Sequence, residues 1–82
     1  MAEELDLTPD PMFAAGTWAN WTRVILGREE VTIDFAIQDP VEPGSGTLMV
    51  RVTLPPGAAY ELRDQLVRAM QEYNERGQPP LG

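Results

Sequence analysis

An alternating pattern of hydrophobic and polar residues runs from Thr47 to Leu54. This period of two predicts a strand with one buried face. Pro55 and Pro56 end the strand, because proline brings no N–H to a sheet ladder. The spacing then becomes helical, with apolar residues at Ala59, Leu62, Leu66, Ala69, Met70 and Tyr73. It predicts an amphipathic helix that begins near Pro56 and ends at about residue 76, before Gly77 in the C′ position.

A second alternating segment, Val31–Gln38, is the clearest strand signal in the chain. Residues 39–46 are dense in proline, glycine, aspartate and serine and predict a loop. If that loop joins an antiparallel pair symmetrically, every apolar residue meets an apolar residue and Asp34 lies opposite Arg51. The same register pairs Phe35 with Val50, Ile33 with Val52 and Ile37 with Leu48.

The segment Thr17–Leu26 predicts the first strand, but its pattern does not choose a buried face. A two-residue turn at Gly27-Arg28 would set Leu26 opposite Glu29. The buried face would then carry Trp18, Thr22 and Val24, and the other face would carry Trp21 and Ile25. A three-residue loop would reverse this division.

These elements predict an α+β fold, a three-stranded antiparallel sheet in the order β-β-β-α with the helix packed on one face. The predicted boundaries are an acidic N-terminal segment at 1–15, one domain at 16–76 and a C-terminal tail at 77–82. Met12 and Phe13 are apolar within the polar first segment. They either tuck against the domain or form a docking motif.

Composition narrows the possible chemistry. The chain has 82 residues, a formal net charge of −7, and neither Cys nor His. Disulfides, thiolate nucleophiles, zinc fingers and Ser-His-Asp triads are therefore excluded. A domain of this size often needs a disulfide, a metal or self-association, and self-association is what remains. The acidic balance disfavours binding to a phosphate backbone.

Candidate sites for catalysis and ligands are weak. Asp34, Asp39 and the pair Glu29-Glu30 are carboxylates in a strand or at turns, where they are usually solvated rather than tuned for acid–base work. Gly44-Ser45-Gly46 lacks the lysine and helix of a P-loop. We expect no metal, no cofactor and no enzymatic activity. No apolar run approaches the length of a membrane span, so the expected location is the cytoplasm of a bacterium or archaeon.

Several short motifs together resemble the bacterial DUF3467 family of small proteins of unknown function. The motifs are Trp18-Ala19-Asn20 with Val24, Val31-x-Ile33-Asp34-Phe35, Arg51-Val52-x-Leu54-x-Pro56, and Glu72-Tyr73 at the end of the helix. The chain departs from the family pattern at Trp18, Pro55 and Thr22, where Tyr, Ser and an apolar residue are usual. The resemblance implies an inward Val24, and it supplies no catalytic residue.

Two layers built from three strands and one helix leave one sheet face uncovered. That face would carry an apolar patch with arginines, and such patches are typical of protein interfaces. The candidate interface residues are Trp21, Arg23, Ile25, Met49 and Arg51. The predicted function is a small non-enzymatic interaction module, homodimeric through that face or a sheet edge, acting as an adaptor or partner subunit. The alternative is a regulator that binds or mimics nucleic acid; an enzyme subunit lending carboxylates to a shared site is a minor one.

Overall fold

The computed structural model describes residues 5–12 and 15–77. Three strands, β1 (Trp21–Leu26), β2 (Val31–Gln38) and β3 (Gly46–Leu54), form one antiparallel sheet in the order β1-β2-β3. The helix α1 (Pro56–Glu75) follows β3 after a single residue. The α+β fold class and the element order predicted from the sequence are confirmed.

The register between β2 and β3 matches the prediction over most of its length. Asp34 lies opposite Arg51, and Ile33 and Phe35 lie opposite Val52 and Val50. The register then shifts between Phe35 and Ala36, so that β3 contributes one residue more than β2.

That bulge leaves Met49 as the extra residue and changes the pairs beyond it. Ala36 lies opposite Leu48, and Ile37 lies opposite Thr47. The predicted pairing of Ile37 with Leu48 is wrong, because it assumed an unbroken ladder. The one-residue shift moves Leu48 to the face that carries Ala36.

The strands β1 and β2 are joined by four residues, 27–30, closed by a hydrogen bond from the Gly27 N–H to the Glu30 carbonyl at 2.9 Å. Leu26 therefore pairs with Val31, and its predicted pairing with Glu29 is wrong by two residues. A shift of two keeps every side chain on its face. The predicted assignment of alternate β1 residues to the two faces holds for residues 21–26. The predicted burial of Trp18, Thr22 and Val24 is wrong, because Thr22 and Val24 are exposed in β1 and Trp18 lies exposed before the strand.

The helix begins and ends as its sequence requires. Pro56 occupies the first helical turn, where a missing N–H costs nothing. Arg76 is the C-cap, and Gly77 follows with φ of 68°, a left-handed conformation that a residue with a Cβ adopts only at a cost.

The helix packs against the sheet less than predicted. Its half-buried residues lie near its start, at Ala58, Ala59 and Leu62, and at Tyr73; none of its side chains is fully buried. The only residue between β3 and the helix is Pro55, with φ of −65° and ψ of 155°. Such a short, stiff link fixes the direction in which the helix leaves the strand.

The N-terminal segment has no helix or strand within residues 5–12. Met12 is exposed, so it does not tuck against the domain. Phe13 and the predicted tail beyond residue 77 lie outside the described residues. No helix in the described part of the chain is long and apolar enough to cross a membrane.

Candidate interaction surfaces

The first surface is the sheet face formed by alternate residues of all three strands, which we call the apolar face. Cross-strand pairing places these residues on it: Thr22, Val24, Leu26, Val31, Ile33, Phe35, Val50, Val52 and Leu54. None of them is fully buried, and Val24 is 66 % exposed. Among the described residues, Ala36 is the only buried hydrophobic residue, and it lies on the opposite face. The apolar face is therefore largely uncovered, and a second layer packed on it would complete a hydrophobic core.

The second surface is the apolar side of the helix, which we call the helix stripe: Leu62, Leu66, Ala69, Met70 and Tyr73. Leu66 and Met70 are 56 % and 53 % exposed. The radius of gyration is 15.1 Å, compared with about 12 Å for a compact chain of this length. The helix stripe thus lacks a covering layer over most of its length.

The third surface is the opposite sheet face, which we call the arginine face. It carries Trp21, Arg23, Ile25, Thr32, Asp34, Ala36, Leu48, Arg51 and Thr53. Thr32 and Thr53 lie opposite each other, and their hydroxyl oxygens are 3.2 Å apart.

Asp34 lies at the centre of the arginine face with its side chain only 1 % exposed. Arg51 donates from Nε to Oδ1 at 2.6 Å and from Nη2 to Oδ2 at 3.0 Å. Arg23 donates from Nε and Nη2 to Oδ2 at 3.2 and 2.7 Å. Residues on both neighbouring strands therefore hold the carboxylate of the central strand, and this arrangement satisfies an otherwise costly buried charge.

The electrostatic effect of this triad is strong. Hydrogen bonds from Arg51 and then from Arg23 hold the pKa of Asp34 far below its ordinary value, against the opposing effect of desolvation. The same contact raises the pKa of Arg51. Two guanidinium groups and one carboxylate leave the triad with a net charge of +1, on a chain whose net charge is −7.

A groove of about 240 Å³ borders the triad. Its lining, which we call the arginine groove, consists of Trp21, Arg23, Asp34, Ala36, Ile37, Gln38, the loop 43–46 and Leu48. The Arg23 guanidinium carbon lies 5.8 Å from the centre of the Trp21 ring, within cation–π range. Gln38 donates to the Pro43 carbonyl at 2.7 Å and fixes the loop that closes one side. The groove combines an aromatic wall, aliphatic surface and an arginine.

The five candidate residues predicted from the sequence can now be placed. Trp21, Arg23, Ile25 and Arg51 lie together on the arginine face, and Met49 lies at the bulge of β3, 41 % exposed. Whether they contact a partner stays a prediction.

Two features of this surface escaped the sequence reasoning. The sequence set Asp34 opposite Arg51, but it did not predict the contact of Arg23 with Asp34. The observed β1–β2 register sets Arg23 directly opposite Asp34. A four-residue turn at 27–30, in place of the two-residue turn considered from the sequence, would have predicted this contact. The transfer of Leu48 to this face depends on the bulge, which alternation alone does not reveal.

Asp39, another carboxylate considered from the sequence, has a local structural role. Asp39 Oδ1 accepts hydrogen bonds from the N–H groups of Val41 and Glu42 at 2.8 and 3.3 Å, which shapes the β2–β3 loop. Within residues 5–12 and 15–77, His, Cys, Asp and Glu form no group of three or more that could hold a metal ion.

Comparison with known proteins places the chain in a family. The model of a family described as "Protein of unknown function (DUF3467)" matches residues 1–78. No curated protein and no solved structure matches the chain.

Proposed function

The chain belongs to the DUF3467 family, and from its surfaces we propose that it is a small non-enzymatic interaction module, a homodimer that acts as an adaptor or partner subunit. The observation that carries this proposal is the exposure of two apolar surfaces in one chain, the apolar face and the helix stripe. Fully burying a Val, Leu, Ile, Phe or Met side chain contributes about 1.5–3 kcal/mol. A single copy leaves most of that stabilisation unused.

A second copy supplies what each surface lacks. The helix stripe of one copy covers the apolar face of the other. Two-fold symmetry repeats the contact, so the dimer buries both surfaces of each copy. The short Pro55 link supports this exchange, because it fixes the direction in which the helix leaves β3 while Leu66 and Met70 of the helix stripe stay exposed. A shared core also meets the need of an 82-residue chain without cysteine for a further source of stability.

This arrangement leaves the arginine face of each copy open for other partners. The dimer contact therefore lies on the face opposite the one first expected from the sequence. The nucleic-acid alternative finds less support, because the net charge of −7 opposes attraction to phosphates and one of the three charges in the triad is itself a carboxylate.

The direct test is the mass of the protein in solution. Leu66→Glu places a charge in the helix stripe, and we expect it to raise the dimer dissociation constant by about 100-fold or more, because that charge would be desolvated in the interface. Gln71→Glu adds the same charge on the far side of the same helix, where its neighbours are exposed, and should leave the mass unchanged. Light scattering or sedimentation equilibrium at tens of micromolar measures both.

Two results would overturn the proposal in different ways. A monomeric wild-type protein at these concentrations would remove the homodimer. A protein that becomes monomeric on Trp21→Glu but not on Leu66→Glu would keep the homodimer and move its contact to the arginine face. Far-UV circular dichroism of each variant separates loss of association from loss of the helix.

A further inference from the structure

The arginine groove is prepared for a ligand that carries a carboxylate. The contacts with Asp34 use the Nε and Nη2 groups of Arg23 and Arg51, and both arginine side chains are about half exposed. The outer Nη1 groups do not contact Asp34, and Arg23, which lines the groove, can offer its Nη1 group to a ligand. Because the buried carboxylate already fixes both guanidiniums, less conformational entropy is lost when they bind. Arginine also keeps its charge at any physiological pH.

The N-terminal segment of this chain, residues 5–12, has the matching chemistry. Its sequence is LDLTPDPM, which sets Asp6 between Leu5 and Leu7. Leu5 and Leu7 are 73 % and 77 % exposed, so they are available to dock. The preceding Glu3 and Glu4 add negative charge next to them. An acidic, leucine-bearing peptide complements a groove with a +1 triad at one end and Trp21 and Leu48 along its wall.

The connection to the groove is long enough for docking within one chain. Eight residues, 13–20, separate the segment from Trp21 and span up to about 27 Å when extended. Gly16 has φ of 78°, a conformation that permits the chain to reverse its direction. A tether of this length gives an effective concentration of the order of millimolar, which allows a weak contact to form.

We propose that the N-terminal segment binds in the arginine groove of its own chain, with Asp6 at the outer Nη1 group of Arg23 and a neighbouring leucine against Trp21 and Leu48. The docked segment occupies the same surface that an acidic partner would use, so such a partner must displace it. This proposal does not depend on dimerisation.

A spin label tests the contact directly, because the chain contains no cysteine and Thr8→Cys gives a single attachment site. In the full-length protein, we expect the label to broaden the indole N–H signal of Trp21 more than that of Trp18. A freely moving segment would do the opposite, since Trp18 is nearer to residue 8 in the chain. About 1 M NaCl should reverse the effect, because it shortens the Debye length to about 3 Å.

Matched variants identify the charges involved. Asp6→Asn with Asp10→Asn should abolish the selective broadening of Trp21, whereas Glu29→Gln with Glu30→Gln removes the same number of charges at the β1–β2 turn and should not. Broadening that is stronger at Trp18, or that survives the loss of Asp6 and Asp10, would overturn the proposal. A mixture of spin-labelled and isotope-labelled copies completes the test: broadening of Trp21 there would assign the contact to a second copy instead.

Discussion

At the scale of single residues, the most consequential side chain is Asp34. Its pKa is held far below the ordinary value of 3.8, chiefly by the hydrogen bonds from Arg51 and Arg23. A depressed carboxylate pKa means that the ionised form is favoured by folding. The resulting stabilisation is complete above pH 3.8 and is lost as the pH falls below that value towards the folded-state pKa.

We therefore expect Asp34→Asn to have two effects. At pH 7 it should lower Tm more than any other single substitution on the arginine face, because an amide cannot neutralise two guanidiniums held around it. Below pH 3.8 the difference in Tm from the wild type should shrink, since the wild-type carboxylate then loses its advantage. Thermal unfolding followed at pH 7 and at progressively lower pH measures both effects.

Asp64→Asn is the matched control for this experiment. Asp64 also accepts from an arginine, Arg63, at 2.9 Å, but both side chains are more than half exposed. Exposed pairs of this kind contribute about 0–1 kcal/mol, so its substitution should change Tm little. Equal effects of Asp34→Asn and Asp64→Asn would contradict the central role of the buried triad.

The sequence allowed the pairing of Asp34 with Arg51 to be predicted, but not the contact of Arg23 with Asp34. Alternation in two strands and a symmetric loop were enough to set Asp34 opposite Arg51. The burial of Asp34 was not predictable in the same way, because it requires a second arginine from the other neighbouring strand. That contact depends on a turn length, which glycine and charged residues at 27–30 do not specify.

At the scale of elements, the end of the helix depends on a backbone conformation. Gly77 has φ of 68°, and among the described residues no heavy atom beyond its chain neighbours lies within 4 Å of the position where a Cβ would be placed. Gly77→Ala should therefore destabilise the protein by about 1 kcal/mol through backbone strain alone. Gly57 also has open space at that position but lies inside the helix without a left-handed φ.

Gly57→Ala should accordingly stabilise the protein, by about 0.4–1 kcal/mol. Urea unfolding of the two variants in parallel measures the difference, and the same substitution should act with opposite sign at the two positions. A loss of stability at both positions would show that the gain from a better helix former does not apply at Gly57.

The limits of sequence reasoning at this scale are also physical. Proline at the start and glycine at the end of α1 mark both helix boundaries, and these were predicted closely. The bulge at Met49 leaves no comparable mark, since a single extra residue preserves the local alternation on either side of it. It nevertheless moves Leu48 to the opposite face and so supplies part of the wall of the arginine groove.

At the scale of the whole molecule, the main feature is the large apolar surface that one short chain leaves exposed. Helical periodicity correctly identified the residues of the helix stripe but assumed that they would cover their own sheet. The pattern of one sequence is the same whether a helix covers its own sheet or that of a second copy. The short Pro55 link and the exposure of Leu66 favour the second possibility.

Reciprocal exchange makes a prediction that simple face-to-face association does not. We expect Val24→Glu and Leu66→Lys each to prevent homodimer formation, because each places a charge in both copies of the contact. When the two variants are mixed, one contact carries both changes, with opposite charges on the two copies, and the other contact is entirely wild type. The mixture should therefore associate at least about 10-fold more tightly than either variant alone, a gain of about 1.4 kcal/mol.

In a dimer whose sheets meet each other and whose helices meet each other, both contacts of the mixed dimer would still contain an unpaired charge. Sedimentation of the separate and mixed variants distinguishes these arrangements, and an absence of any gain on mixing would contradict reciprocal exchange.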